Sequence, residues 1–112
     1  MKTGSPGPVQ VAQNVSHMRR LLERLEKLQE KIRAGGGPEK IEKQHREGKL
    51  TARERIQRLI DRDSMFLEIG LLVAYDKYDG QAPAAGVVTG VARIEGRPAV
   101  IVANDATVKA GA

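Results

Sequence analysis

Cysteine and tryptophan are absent from the 112 residues, and only three aromatic side chains occur, Phe66, Tyr75 and Tyr78. The missing thiols exclude disulfides, thiolate zinc sites and cysteine nucleophiles together, in agreement with a reducing compartment. With so few rings the core must be aliphatic, drawn from a hydrophobic content of 40%. Long apolar stretches are also missing. Runs such as residues 99–103 are strand-sized, far below the roughly 18 residues a bilayer span needs, so no membrane is expected as a partner. Residues 1–13 lack the apolar block of a secretory signal, and Lys2 is their one basic residue where a mitochondrial presequence would carry several. The expected location is cytoplasmic. No P-loop, Gly-rich dinucleotide fingerprint or G-x-S-x-G elbow is present.

What the chain does have is charge, 29% of its residues, with a net of +5 that is unevenly placed. Residues 1–63 hold 15 Lys and Arg against 9 Asp and Glu, while residues 64–112 hold 4 against 5. A basic half suits either a polyanion site or a solvated helical surface with alternating signs, as in the i,i+4 pair Glu23 and Lys27. Nucleic acid is not the expected polyanion, because the basic half contains no Phe, Tyr or Trp on which bases would stack.

Residues 1–8, with Gly4, Pro6 and Gly7, read as a flexible tail. Met18, Leu21, Leu25, Leu28 and Ile32 then recur at steps of three and four, which predicts a helix over residues 9–33, closed by Gly35, Gly36 and Gly37. Pro38 at a first helical position and Gly48 beyond the end predict a short, polar helix over residues 38–47, with Ile41 as its apolar anchor. Thr51 and Glu54 spell a capping box opening a third helix, whose apolar side is Ile56, Leu59 and Ile60.

Beyond Ser64 the period changes. Residues 66–74 suit a strand or extended segment and residues 76–85 a surface loop. Residues 87–94 and 97–103 predict a hairpin turning at Glu95-Gly96. Gly90 marks either a bulge or the close approach of a backbone or ligand, and Pro98 calls for an edge. The run 99–103 reads as a strand covered on both faces, yet only nine residues follow it. The expectation is an α+β fold whose second cover comes from elsewhere: tail 1–8, helical arm 9–63 and the incomplete start of a domain over 64–112.

His17 and His45 sit on different predicted helices without partners at metal-ligand or triad spacing, and both read as surface histidines. Gly35 to Gly37 lacks the preceding strand and Lys-Ser/Thr pair of a phosphate loop. Residues 103–111, with small residues, turn formers and Lys109 just past a strand end, lie where α/β folds place ligands.

Read together, several blocks resemble, in order and spacing, the start of the carboxyltransferase (beta) subunit of biotin-dependent acyl-CoA carboxylases. They are Lys43-Gln44-His45, Gly48-Lys49-Leu50-Thr51-Ala52-Arg53-Glu54-Arg55-Ile56, Phe66-Leu67-Glu68-Ile69, Gly86-Val87-Val88-Thr89-Gly90, Gly96-Arg97-Pro98 and Val102-Ala103-Asn104-Asp105-Ala106-Thr107-Val108-Lys109. The last block looks more like the methylcrotonyl-CoA and geranyl-CoA carboxylase branch than the propionyl-CoA one, with Ala110 where Gly is usual. The resemblance implies a crotonase-like (ClpP/crotonase) fold and transfer of a carboxyl group from carboxybiotin to an acyl-CoA. It also implies a biotin carboxylase/biotin carrier partner that bears the biotin, and a homo-oligomer. Backbone amides of Gly-rich turns supply the oxyanion holes in such enzymes. Those turns fall beyond Ala112, so no catalytic residue and no metal ligand is assigned, and the fragment alone is expected to be inactive. The residues expected near CoA are Val108, Lys109 and Ala110, where Lys109 is either a phosphate partner or an exposed, solvated lysine. The alternative is a stand-alone assembly or binding module without catalysis.

Overall fold

A computed structural model describes residues 4–74 and 82–111. Tyr75, Tyr78 and most of the loop expected over 76–85 lie outside the described residues. The elements run α1 (Pro8–Arg33), α2 (Pro38–Arg46), α3 (Ala52–Leu59), β1 (Leu67–Ile69), β2 (Val87–Ile94) and β3 (Arg97–Asn104). Short turns at Pro83–Gly86 and Lys109–Gly111 flank the hairpin. The chain divides into two compact units, Met1–Glu30 and Lys31–Ala112. No helix among the described residues is long and apolar enough to cross a membrane.

The first unit is most of α1. Pro8 opens the helix at a position whose N–H needs no partner, and the Gly7 carbonyl accepts the first turn's bond from the Val11 amide at 2.9 Å. Its apolar residues Val11, Val15, Met18, Leu21, Leu22 and Leu25 are all exposed.

The second unit holds the core. Ala52 and Ile56 of α3 pack against Val88, Ala92 and Ile101 of the hairpin, with Ile60, Phe66, Ile94 and Ala103 around them. The capping box opens α3 as the sequence predicts: Thr51 Oγ1 accepts from the Glu54 amide at 3.3 Å, and Glu54 Oε2 accepts from the Thr51 amide at 3.2 Å. An apolar helix side is thereby aimed at an aliphatic sheet face, the burial that drives folding in a chain with few rings.

The sheet is antiparallel in the order β1-β2-β3, with Leu67↔Val91↔Val100 and Ile69↔Thr89↔Val102 in register. Glu95 and Gly96 turn the hairpin with φ of 51° and 78°, the left-handed pair that matches strand twist. Asp61 braces that turn, its two carboxylate oxygens accepting from the Glu95 and Gly96 amides at 2.7 and 2.8 Å. Pro98 lies on β3, an edge strand, as its missing N–H demands.

Two expectations need correction, and a third, the missing cover on β3, can be placed. The extended segment over 66–74 is a strand only at Leu67–Ile69, because Gly70, at φ 76°, turns the chain there. Gly90 is not a bulge: it pairs one-to-one with Glu68 and Ile101, and a Cβ there would meet the Phe66 ring and stand 2.6 Å from the Leu67 carbonyl oxygen. Strand β3 is covered by this chain on one face only, and the second face that the sequence leaves without a cover is open. Ile101 is buried, whereas Val100 and Val102 are 78% and 67% exposed and share the open face with Leu67 and Ile69.

Candidate functional site

Strand β3 runs out at Asn104, and the loop after it is built around a small buried polar knot. Asp105 and Thr107 are the buried polar residues of the described chain. Asp105 Oδ1 accepts from the Thr107 amide at 2.9 Å and from the Thr107 hydroxyl at 2.5 Å. The hydroxyl oxygen in turn accepts from the Gly36 amide at 3.0 Å, across 71 residues of sequence. The Asp105 amide donates to the Gly86 carbonyl at 2.9 Å, so the loop is tied both to the turn before β2 and to the turn after α1. The Thr107 hydroxyl and amide and Asp105 Oδ1 all find partners, which is what makes their burial tolerable.

The glycine turn is the seat of this loop. A Cβ on Gly36 would overlap the Thr107 carbonyl and stand 2.9 Å from Lys40 Cδ. Glycine is required there for close packing of two backbones. The sequence left this triplet as a helix end without phosphate-loop features, and the structure gives it a second role, the docking of residues 105–107.

Val108, Lys109 and Ala110, the residues expected near CoA, are consecutive but face different ways. Val108 is 1% exposed and anchors the loop in the interior. Lys109 and Ala110 are exposed, and both adopt left-handed backbone conformations, with φ of 46° and 54°. For residues with a Cβ such conformations cost roughly 1–2 kcal/mol each, and they cluster at functional sites. Ala84 and Ala85, at φ 51° and 55°, repeat the feature in the turn tied to Asp105.

Beside this loop lies a groove of about 410 Å³. Ala106, Thr107 and Ala110 form one wall, and Lys40, Lys43, Gln44 and Glu47 of α2 with Lys49 form the other. Lys49 Nζ reaches Glu47 Oε2 at 3.2 Å. Lys40 and Lys43 have no carboxylate partner among the described residues. Sequence reasoning passed over these lysines as part of a solvated helical surface. The signal was the i,i+3 spacing of Lys40 and Lys43, which puts them on one helix face.

Two ion pairs join the helices and sheet of this unit. Arg53 donates through Nη1 and Nη2 to the two Glu68 oxygens at 2.8 and 2.7 Å, a bidentate clamp from α3 to β1, with Glu68 only 10% exposed. His45 Nε2 lies 2.6 Å from Glu54 Oε1, joining α2 to the start of α3. That hydrogen bond, the largest influence, together with the Thr51 amide, holds the Glu54 carboxyl below the usual glutamate range. His17 and His45 are both exposed, and no group of three or more His, Asp or Glu arranged to hold a metal occurs among the described residues.

Comparison with known proteins gives this arrangement a context. The carboxyl transferase domain family matches residues 43–112, from Lys43 of α2 through the loop after β3. The biotin-dependent 3-methylcrotonyl-coenzyme A carboxylase beta1 subunit of Mycobacterium tuberculosis is 52% identical over 77 residues, 68% of this chain and 15% of that protein. The mitochondrial methylcrotonoyl-CoA carboxylase beta chain of Arabidopsis thaliana is 43% identical over 81 residues, 72% of this chain and 14% of that protein. Among solved structures, hexameric transcarboxylase 12S with methylmalonyl-coenzyme A and methylmalonic acid bound superposes with a TM-score of 0.74 at 41% identity. The match covers 85% of this chain and 19% of that one. The α+β, crotonase-like start expected from the sequence agrees with these neighbours. With more than half of its residues matched, and its hairpin and the loop after β3 inside the match, the chain belongs to the carboxyl transferase domain family.

Proposed function

We propose that this chain is the amino-terminal part of the carboxyltransferase subunit of a cytoplasmic, biotin-dependent acyl-CoA carboxylase acting on a methylcrotonyl-CoA-like substrate. The observation that carries the reading is the loop after β3. A buried Asp105–Thr107 knot and the Val108 anchor hold Lys109 and Ala110 out at the surface in left-handed conformations, beside an open groove. In this reading residues 9–63 are an arm, residues 64–112 begin the catalytic domain, and Val108, Lys109 and Ala110 form the segment that meets CoA. Val108 serves through its backbone and as an anchor. Biotin on a partner subunit brings the carboxyl group, and no residue of this chain is assigned to hold it.

The chain spans about 15% of the length of the relatives it matches. Its sheet also leaves Leu67, Ile69, Val100 and Val102 uncovered. Both features support a segment that packs into a larger, oligomeric subunit and is inactive alone.

The test is a chimera in which residues 43–112 replace the matching segment of the Mycobacterium tuberculosis beta1 subunit. It should assemble and carboxylate 3-methylcrotonyl-CoA with its partner subunit. An assembled chimera that binds acyl-CoA nowhere and transfers no carboxyl group would overturn the proposal.

A further inference from the structure

We infer that the lysine-bearing face of α2 seats the phosphate end of the ligand, through Lys40 and Lys43. The inference rests on the acyl-CoA reading above and deepens it by assigning the anion. The groove is built from two sides: α2 brings the cations, and Ala106, Thr107 and Ala110 bring small, neutral side chains that leave room beside them. Its lining carries three lysines and one glutamate, a net charge of +2. Because Glu47 engages Lys49 at 3.2 Å, the uncompensated charges are those of Lys40 and Lys43, one helical turn apart.

The Lys40 stem packs over Gly36, where a Cβ would meet its Cδ at 2.9 Å, and this keeps one ammonium beside the groove. A volume of about 410 Å³ falls within the roughly 300–1,000 Å³ typical of ligand sites. Two ammonium groups without carboxylate partners among the described residues, facing the neutral Ala106, Thr107 and Ala110, match a doubly charged phosphate or diphosphate and offer nothing to an apolar or cationic ligand. The thioester end of such a ligand would extend along the exposed Lys109 and Ala110 backbone.

The experiment titrates the 112-residue chain calorimetrically with adenosine 3′,5′-bisphosphate, with coenzyme A, and with pantetheine, which lacks phosphate. The variants are Lys40→Gln/Lys43→Gln and, as a control on α1, Lys27→Gln. The double variant should bind the bisphosphate and coenzyme A about tenfold more weakly, equal to about 1.4 kcal/mol, with pantetheine unchanged. Its salt dependence should flatten by comparison with the parent chain, while Lys27→Gln behaves as the parent. Undiminished coenzyme A binding by the double variant would overturn the lysine assignment and leave the acyl-CoA reading standing. Absence of coenzyme A binding by the parent chain and by the chimera would remove both.

Discussion

Replacing Gly36 with alanine tests whether the loop after β3 depends on the turn after α1. The added methyl would overlap the Thr107 carbonyl and crowd Lys40 Cδ at 2.9 Å. Forcing a group into such a contact costs about 1–3 kcal/mol. Displacement would also break the bond from the Gly36 amide to Thr107 Oγ1, worth about 1 kcal/mol net. Against this, alanine restricts the unfolded chain and returns about 0.4–1 kcal/mol. The balance is a loss of about 2 kcal/mol, or roughly 8 °C in melting temperature for a chain of this size. Urea denaturation with amide exchange at Val108 is the assay. Because the clash is with backbone, Thr107→Ala should remove only the hydrogen-bond share of the cost and leave the steric share in the double variant. A Gly36→Ala chain as stable as the parent, with Val108 equally protected, would refute the docking of residues 105–107 on this turn.

Two further perturbations probe the supports. Glu68→Gln strips the charge from the bidentate partner of Arg53 and should cost about 2–3 kcal/mol in urea denaturation. Arg33→Gln, acting on a 3.9 Å contact, should cost less than about 0.5 kcal/mol, and equal losses for the two would contradict the geometry. The Glu54 pKa is lowered in the fold, so the ionised carboxylate stabilises above the ordinary value of 4.5, and this contribution disappears as pH falls through the lowered value. The stability gap between the parent and Glu54→Gln should therefore close on acidification below pH 4.5, and a gap constant with pH would exclude the His45–Glu54 bond as its source.

The parts of the fold that were legible in the sequence are those whose signal is local. The Thr51–Glu54 box, the Pro38 start and the Glu95-Gly96 turn each depend on residues within four positions, and each appears where expected. Strand β1 was overextended because the apolar content of residues 66–74 says nothing of Gly70, whose left-handed conformation redirects the chain. Gly90 was left between a bulge and a close approach because the choice depends on Phe66, which precedes β1 and is 24 residues away in sequence. The site was half legible. Composition pointed to residues 103–111, but the Thr107–Gly36 bond spans 71 residues and the Arg53–Glu68 clamp 15, separations at which no spacing rule operates.

The polar helix α2 ties these observations together. Nine residues are too few for a helix to stand alone in water, where about 12–15 are needed even for favourable sequences. No residue of α2 is buried, and Ile41 is only half-buried, so apolar packing does not explain its persistence. What holds it is local geometry at both ends. Pro38 presets the first turn, the Gln44 side chain donates to the Leu50 carbonyl at 3.4 Å, and the Lys40 stem lies over the glycine turn that receives Thr107. The knot that orders the loop after β3 is thus also the base from which α2 presents Lys40 and Lys43. A perturbation at Gly36 should reach both walls of the groove at once, whereas one at Lys43 should reach only the charge.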